Sequence, residues 1–210
     1  MNYNDKMDLV RSNIIASVQI YKNVLAGHYY LYIFENQCFE MYYGTDNFMH
    51  LTGVGTNLSP NQFYELAKEG QLQTNQMYFN SRFPLSTAIK KTENLSCLPQ
   101  FVNEGYFVVK DLATDTVVYP YAITNIDQSV LIGLKMEEET EIYIPKSFRV
   151  KGNIFDKTTD DKLFEIHYIL SKTDKSGLYD TVLYNEKDGL GLLDLDILAK
   201  IAPSLLQKKI

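Results

Sequence analysis

Histidine is scarce in this chain of 210 residues, and His50 has the surroundings that best suit chemistry. It lies in the stretch FMHLTGVG, where Thr52 follows closely and Gly53 and Gly55 allow backbone or ligand to approach. Imidazole titrates near neutral pH, so it can give or take a proton under physiological conditions. Two interpretations stay open: His50 transfers protons beside the N-terminus of the next helix, or all three histidines are structural.

Cations stand beside hydroxyl groups at two later strand ends. Lys146 and Ser147 occur in IPKSF, with Arg149 close behind, and Ser171 and Lys172 occur in ILSK. Lysine and arginine donors aimed at a phosphate would stabilise the negative charge that it gains in a transition state. The alternative is that these residues only keep the strand ends soluble.

The sequence gives little support for a nucleotide-binding loop, a metal site or an acyl-transfer site. The Gly53-Val54-Gly55 turn is not part of a G-x-x-x-x-G-K-[ST] loop, and the C-terminal GLGLLDLD lacks the third glycine of a dinucleotide-binding motif. Three histidines and two cysteines are dispersed, and no G-x-S-x-G elbow occurs. We therefore predict no metal and no cofactor.

The composition constrains partners and location. Twenty Lys plus Arg against 26 Asp plus Glu give a net charge of -6, which opposes unspecific attraction to polyanions, so a nucleic-acid enzyme would need a local basic pocket. Cys38 and Cys97 lack metal-binding or redox spacing and are predicted to be reduced, buried thiols. With no secretory signal and no run of about 18 apolar residues, we predict a cytoplasmic protein without a membrane span.

The first half of the chain must position His50 through helices and one hairpin. Apolar residues at helical spacing predict a helix from Asp5 to Leu25, and HYYLYIFENQCFEMYYG predicts two strands joined at Glu35-Asn36-Gln37. Ser59, Pro60 and Gln62 form an N-terminal helix signal after His50, with Gly70 as its end. A further helix is predicted from about Pro84 to Cys97.

The second half is dominated by strand patterns with short connections, which favour antiparallel neighbours. The C-terminal LLDLDILAKIAPSLL predicts a helix at about 192–206 with Leu195, Leu198, Ala199 and Ala202 on one face. The polar segment 151–162 is predicted to be a long loop. The fold class is α+β: N-terminal helices packed on a mainly antiparallel sheet, with a C-terminal helix, in a single domain over 1–210 (helical to about 100, sheet-rich over about 105–185).

The order of these segments resembles a known family. NFMHLTG followed by FYELAKEGQL is the most specific piece, and KKTENLSCLP, IYIPKSF and EIHYILSK follow in the same order. Over about 21–184 the chain resembles a phage- and mobile-element-associated family with the barnase, EndoU, colicin and RelE-like nuclease (BECR) fold. The resemblance implies helices followed by an antiparallel sheet, and a metal-independent ribonuclease in which the ribose 2′-hydroxyl attacks the adjacent phosphate.

The same resemblance assigns roles to particular residues. It implies that His50 transfers a proton and that Thr52 donates a hydrogen bond beside it. The IPKS and LSK matches add Lys146, Ser147 and Lys172. The reaction also needs a second acid or base, which the motif does not identify; the candidates are Glu40, His28 and Tyr42.

Two functions follow from these observations. The first is a metal-independent endoribonuclease that acts on RNA as a toxin or effector of a phage or mobile element. The alternative is a non-catalytic protein of such an element that binds a host or phage protein, or an immunity protein, through a tyrosine-rich acidic surface. His50 is essential for the first function and dispensable for the second.

Overall fold

The computed structural model describes residues 1–114, 117–150, 163–187 and 189–206. The fold is α+β, as the sequence predicts. Its helices are α1 (Tyr3–Val24), α2 (Asn47–Thr52), α3 (Pro60–Lys68), α4 (Leu85–Asn94), α5 (Gln100–Asn103), α6 (Leu195–Leu198) and α7 (Pro203–Leu206). Its strands are β1 (Tyr29–Phe34), β2 (Gln37–Tyr42), β3 (Gly55–Thr56), β4 (Met77–Tyr78), β5 (Phe107–Ala113), β6 (Val118–Thr124), β7 (Val130–Met136), β8 (Tyr143–Val150), β9 (Leu163–Glu165), β10 (Tyr168–Lys172) and β11 (Thr181–Asn185).

The predicted apolar stripe of the first helix is confirmed. Val10, Ile14, Val18 and Tyr21 are fully buried along α1, because residues three or four apart lie on one face of a helix. The helix begins at an Asn2 capping box and its stripe packs into the main core. This long element is therefore held mainly by the burial of one face.

The N-terminal signal of the helix after His50 is also confirmed. The Ser59 hydroxyl accepts a hydrogen bond from the Gln62 N–H, and the Gln62 side chain accepts one from the Ser59 N–H. Pro60 occupies the first helical position, and Gly70 follows the end with φ of +71°. The first N–H groups of a helix have no acceptor within the helix. Here side chains accept hydrogen bonds from two such N–H groups, and this fixes where α3 begins.

Nine strands form one curled sheet in the order β11-β10-β1-β2-β8-β7-β6-β5-β9. All described neighbours are antiparallel except β2 and β8, which meet at Met41 and Tyr143. The predicted strand LFEIHYILSK is divided in the structure into β9, which pairs with β5, and β10, which pairs with β1. Because these two strands are consecutive, the sheet curls back on itself, and rings of Phe34, Tyr121 and Phe164 meet across its interior.

The prediction of a single C-terminal helix is wrong. The segment forms a 3-10 turn at Leu190–Leu192 and two four-residue helices, α6 and α7. Ile201 interrupts the helix by bridging to Tyr179, and Pro203 cannot continue it because it has no N–H to donate. The buried side chains are Ile197 and Ile201, whereas Leu195 of the predicted face is 83% exposed.

This C-terminal segment covers the outer face of β1 and β10. Ile197, Ile201 and Tyr179 pack there against Leu31 and Leu170. An ionic cluster fixes the arrangement: Glu40 of β2 accepts hydrogen bonds from the Lys200 ammonium and, at 2.8 Å, from the Tyr179 hydroxyl. Burial opposes the charge on Glu40, but the hydrogen bonds from Lys200 and Tyr179 outweigh it, so the pKa of this carboxyl is lowered.

Some sequence predictions lie beyond what the structure tests. The predicted loop 151–162 is outside the described residues, and the division into one domain stays a prediction. Cys38 and Cys97 are both free thiols, although both are only partly buried. Among the helices of the described ranges, none combines the length and the apolar character needed to cross a membrane.

Replacing Glu40 tests the ionic cluster. We expect Glu40→Gln to reduce the free energy of unfolding by about 2 kcal/mol near neutral pH, because Lys200 loses its charged acceptor. A carboxyl with a lowered folded-state pKa stabilises above its unfolded pKa of about 4.3, and this contribution is lost as pH falls through the lower folded value. Urea titrations across acidic pH should therefore show the two proteins converging, with exposed Glu93→Gln within about 0.5 kcal/mol of wild type as control. Equal stability at neutral pH would contradict this role.

Candidate functional site

His50 lies in the last turn of the short helix α2. The opposite side of this helix is fixed in the core by Phe48 and Leu51, both fully buried, and the Phe48 ring packs 5.1 Å from that of Tyr21. Gly53 ends the helix with φ of +77°, a conformation that few residues other than glycine adopt without strain. The half-buried His50 is thus presented by a well-anchored turn.

Thr52 supports this turn from inside. Its side chain is fully buried, and its hydroxyl donates a 2.8 Å hydrogen bond to the Met49 carbonyl. The same oxygen accepts a long hydrogen bond, at 3.4 Å, from the Val54 N–H. Thr52 is therefore only two residues from His50 in the sequence, but it does not line the space that His50 faces.

That space is a cavity of about 390 Å³ lined by His50 and by residues from distant parts of the chain. Strand β4 contributes Tyr78, the loop that follows it contributes Arg82 and Phe83, and helix α4 contributes Lys91. Strand β6 contributes Tyr119, and strand β8 contributes Lys146 and Ser147. Three of the residues singled out from sequence, His50, Lys146 and Ser147, thus meet at one place.

A β-bulge explains how two successive residues of one strand reach the same cavity. On β7 and β8, Gly133 is opposite Ser147 and Leu134 is opposite Pro145, so Lys146 has no partner across the ladder. Successive side chains of a regular strand point to opposite faces, and an inserted residue breaks this alternation. Because of the bulge, Lys146 and Ser147 can both face the cavity, which regular alternation along the strand would not allow.

Lys91 reaches the cavity across the backbone of Gly53. A Cβ atom at Gly53 would lie 2.7 Å from Cδ of Lys91 and 3.6 Å from its Nζ. The missing side chain thus leaves the room in which the lysine lies. Burial and, after it, the positive charge of Arg149 lower the pKa of Lys91 to about 8, because both disfavour the ammonium form.

Arg149 and Tyr119 form the layer behind Lys91. The guanidinium carbon of Arg149 is 5.7 Å from the centroid of the Tyr119 ring, which is close enough for a cation–π contact. The Nε atom of Arg149 is buried and has no hydrogen-bond partner within the described part of the chain. Tyr119 in turn lies on Gly133, where a Cβ would be 2.9 Å from its ring.

The electrostatic environment keeps His50 neutral near neutral pH. Burial, followed by the positive charge of Lys146, lowers the pKa of His50 below its usual value of 6.5, and Asp46 partly opposes the shift. No Asp or Glu of the described residues lines the cavity, and none forms an ion pair with Lys91, Lys146 or Arg82. The arrangement offers a proton acceptor beside several cations, which suits an anionic ligand.

The structure does not bring Lys172 to this cavity. Its ammonium donates a 2.9 Å hydrogen bond to the Gly177 carbonyl and lies 3.7 Å from the Glu40 carboxylate. It lines a different cavity, together with His28. Glu40, His28 and Tyr42, considered from sequence as the second proton-transfer group, are all absent from the lining of the His50 cavity.

Within the described ranges, one group of side chains away from this cavity could hold a metal ion. Ligand atoms of Glu165, His167 and Glu186 lie within 4.8 Å of one another on the surface, and Nε2 of His167 is 2.7 Å from the Lys187 ammonium. The neighbouring ammonium competes with a cation for this nitrogen. The group shares no residue with the lining of the His50 cavity.

Residues 13–189 match the family model described as phage-Barnase-EndoU-ColicinE5/D-RelE like nuclease4 (PBECR4). The chain belongs to this family. The match includes α2, α4 and β8, which contribute residues to the cavity, and the α+β architecture is consistent with a BECR-like fold. Membership in the PBECR4 family points to nucleic acid as the substrate. No curated protein and no solved structure compared with the chain gives a match.

Sequence reasoning missed Lys91 and Arg82 in this PBECR4 member. Lys91 was visible only as half of a basic pair, Lys90 and Lys91, in a predicted helix. A helix places successive residues about 100° apart, so only one of the pair could face the sheet, but the pattern does not say what it would meet there. Gly53 was a usable signal, because a glycine in such a turn often makes room for a neighbour.

Gly53→Ala and Gly70→Ala separate the cost of the backbone conformation from the placement of Lys91. Both glycines have positive φ, but a Cβ at Gly70 meets nothing within 4 Å. We expect each substitution to reduce the free energy of unfolding by about 1 kcal/mol. Only Gly53→Ala should displace the flexible Lys91 towards solvent, and NMR titration of its ammonium should then show a pKa closer to the usual 10.5. An unchanged titration would show that Lys91 does not depend on this gap.

Proposed function

We propose that the protein is an endoribonuclease that cleaves RNA by attack of the ribose 2′-hydroxyl on the adjacent phosphate. The observation that supports this best is the cavity that His50 shares with Lys91, Lys146 and Arg82, which contains no carboxylate from the described chain. Because the chain belongs to a phage-associated nuclease family, the proposed role is that of a toxin or effector of a phage or mobile element.

His50 takes the proton of the 2′-hydroxyl in this proposal. Its lowered pKa leaves the imidazole neutral near neutral pH, as a general base requires. The 2′-oxygen then forms a bond to phosphorus, and the bond from phosphorus to the 5′-oxygen breaks. The products are a 2′,3′-cyclic phosphate and a free 5′-hydroxyl, once the leaving oxygen has received a proton.

Lys91 supplies that proton. It lines the same cavity as His50, and its side chain lies across Gly53, three residues beyond the histidine. A lysine that loses its proton at about pH 8 is mostly protonated at neutral pH, yet is a much better acid than an ordinary lysine. Near neutral pH the base, His50, would thus be neutral while the acid, Lys91, is still protonated.

Other cavity residues would stabilise the phosphate. Lys146 and Arg82 carry positive charge at the cavity wall, and the Ser147 hydroxyl can donate a hydrogen bond. Groups already aimed at a developing negative charge lower the barrier most, because they need no reorganisation during the reaction. Thr52 acts by holding the α2 turn, and Lys172 by holding Glu40 and the C-terminal region.

Replacing His50 tests the proposal. Purified wild-type protein should cleave total RNA in the presence of a chelator, and His50→Ala should abolish cleavage while changing the free energy of unfolding by no more than about 1 kcal/mol. His28→Ala is the matched control, because His28 lines a different cavity and should keep full activity. Gel analysis of the RNA and urea unfolding of all three proteins provide the measurements. RNA left intact by wild type would favour the alternative of a protein-binding role.

The pH dependence of cleavage tests the pairing of His50 with Lys91. We expect kcat/KM to rise with pH as His50 loses its proton below pH 6.5, and to fall as Lys91 loses its proton near pH 8. Lys91→Met should lower kcat by about 10²- to 10⁴-fold, the usual contribution of a general acid, and remove the alkaline fall. Lys90→Met, at the exposed neighbouring lysine, is the control. It should keep both the rise of kcat/KM at acidic pH and its fall at alkaline pH.

The alternative outcomes distinguish several roles for Lys91. If Lys91→Met raises KM and leaves the alkaline fall in place, the lysine binds phosphate only. If His50→Ala is inactive but the alkaline fall persists in Lys91→Met, another group donates the proton. Either result would remove Lys91 as the acid without affecting the role of His50.

A further inference from the structure

Two aromatic rings form one wall of the His50 cavity. Tyr78 and Phe83 both line it, and their rings meet edge to face with centroids 5.9 Å apart. Tyr78 is 39% exposed, whereas Met77 beside it is buried, because successive side chains of a strand point to opposite faces. A partly exposed aromatic ring that lines a cavity is suited to binding a flat ligand.

Hydrogen bonds hold the turn that connects Tyr78 to Phe83 in shape. The Oδ1 atom of Asn80 accepts hydrogen bonds from the N–H groups of Arg82 and Phe83, at 2.9 and 3.0 Å. The Asn80 N–H donates a third bond to the Phe83 carbonyl, at 3.1 Å. The wall therefore exists before any ligand arrives, which reduces the entropy lost on binding.

Gly55 determines how the Tyr78 ring lies. The two residues are opposite each other on β3 and β4, and a Cβ at Gly55 would collide with the ring. The ring thus covers the glycine backbone with one side, while its exposed part borders the cavity. Only this exposed part of the ring is available for a planar ligand to stack on.

The neighbouring charges indicate which planar group fits. Arg82 lies 5.5 Å from the centroid of the Phe83 ring and lines the cavity together with Lys91 and Lys146. A nucleotide combines a flat base with a phosphate, and aromatic side chains stack on bases of any sequence. In duplex RNA the bases are already stacked on each other, so only an unpaired base can enter such a wall.

We propose that Tyr78 and Phe83 form a nucleobase-stacking site, so that the protein binds single-stranded RNA with one unstacked base beside the phosphate at His50. This inference rests on the proposed function for its substrate class. It adds a selectivity for unpaired strands that the cations alone cannot provide, because they recognise only phosphate.

The absence of tryptophan from the sequence allows a direct test. Tyr78→Trp in a His50→Ala background introduces an indole whose fluorescence can be excited selectively and is quenched by a stacked base. We expect quenching on titration with a single-stranded oligoribonucleotide, and binding about tenfold or more weaker for the matching duplex and for the same strand with abasic sites. Tyr3→Trp in the same background places the indole on an exposed tyrosine outside the cavity and should show no quenching.

Kinetics on the active protein provide a second readout. Tyr78→Ala should raise KM for single-stranded RNA about tenfold and leave kcat nearly unchanged, because stacking acts equally on bound substrate and transition state. Tyr78→Phe keeps the ring and should restore KM. Failure of Tyr78→Phe to restore KM would show that the hydroxyl, and not the ring, is responsible.

The outcomes separate this inference from the proposed function. Cleavage that His50→Ala abolishes, together with equal affinity for abasic, duplex and single-stranded RNA, would overturn the stacking site and leave the ribonuclease standing. Base-dependent quenching in a protein whose wild type never cleaves RNA would support the stacking site and overturn the ribonuclease.

Discussion

Positive charge that is partly removed from water, with no described carboxylate nearby, is the constraint on which the site depends. Lys91 and Arg149 lie close enough for one to lower the pKa of the other, and the buried Arg149 Nε lacks a described partner. Such an arrangement costs stability, because buried charge is normally paired. A bound phosphate would supply a counter-charge for these cations. Their charge and the family membership therefore both favour a ligand that contains phosphate.

A chain with a net charge of -6 can still attract a polyanion if its cations are concentrated. The cavity collects Arg82, Lys91 and Lys146 from three separate elements, and its partly enclosed walls strengthen their field. Beyond Lys146, however, the neighbouring groove is lined by Glu137, Glu138 and Glu139. These carboxylates would repel a phosphate backbone, so the charge pattern limits the surface along which a nucleic acid could bind.

Local departures from regular structure make this concentration of charge possible. The bulge at Lys146 redirects one side chain of β8, and glycines at positions 53, 55 and 133 let Lys91, Tyr78 and Tyr119 lie against the backbone. The curled sheet and the α1 core supply a rigid support around them. The Glu40 cluster, which holds the C-terminal segment on the outer face, shows the contrasting case, because there the ammonium groups of Lys172 and Lys200 lie close to a carboxylate of the protein itself.

The sequence by itself determined the elements whose signals are local. Helical periodicity defined α1, the Ser59 capping box fixed the start of α3, and alternating aromatic residues gave the first hairpin, because each depends on neighbours within a few residues. Tertiary structure decided the rest. Only the pairing of β7 with β8 created the bulge at Lys146, and only the packing of α4 against the α2 turn brought Lys91 to His50. The Tyr179 bridge, together with Pro203, divided the C-terminal helix. These features depend on contacts between residues far apart in the chain, which periodicity cannot record.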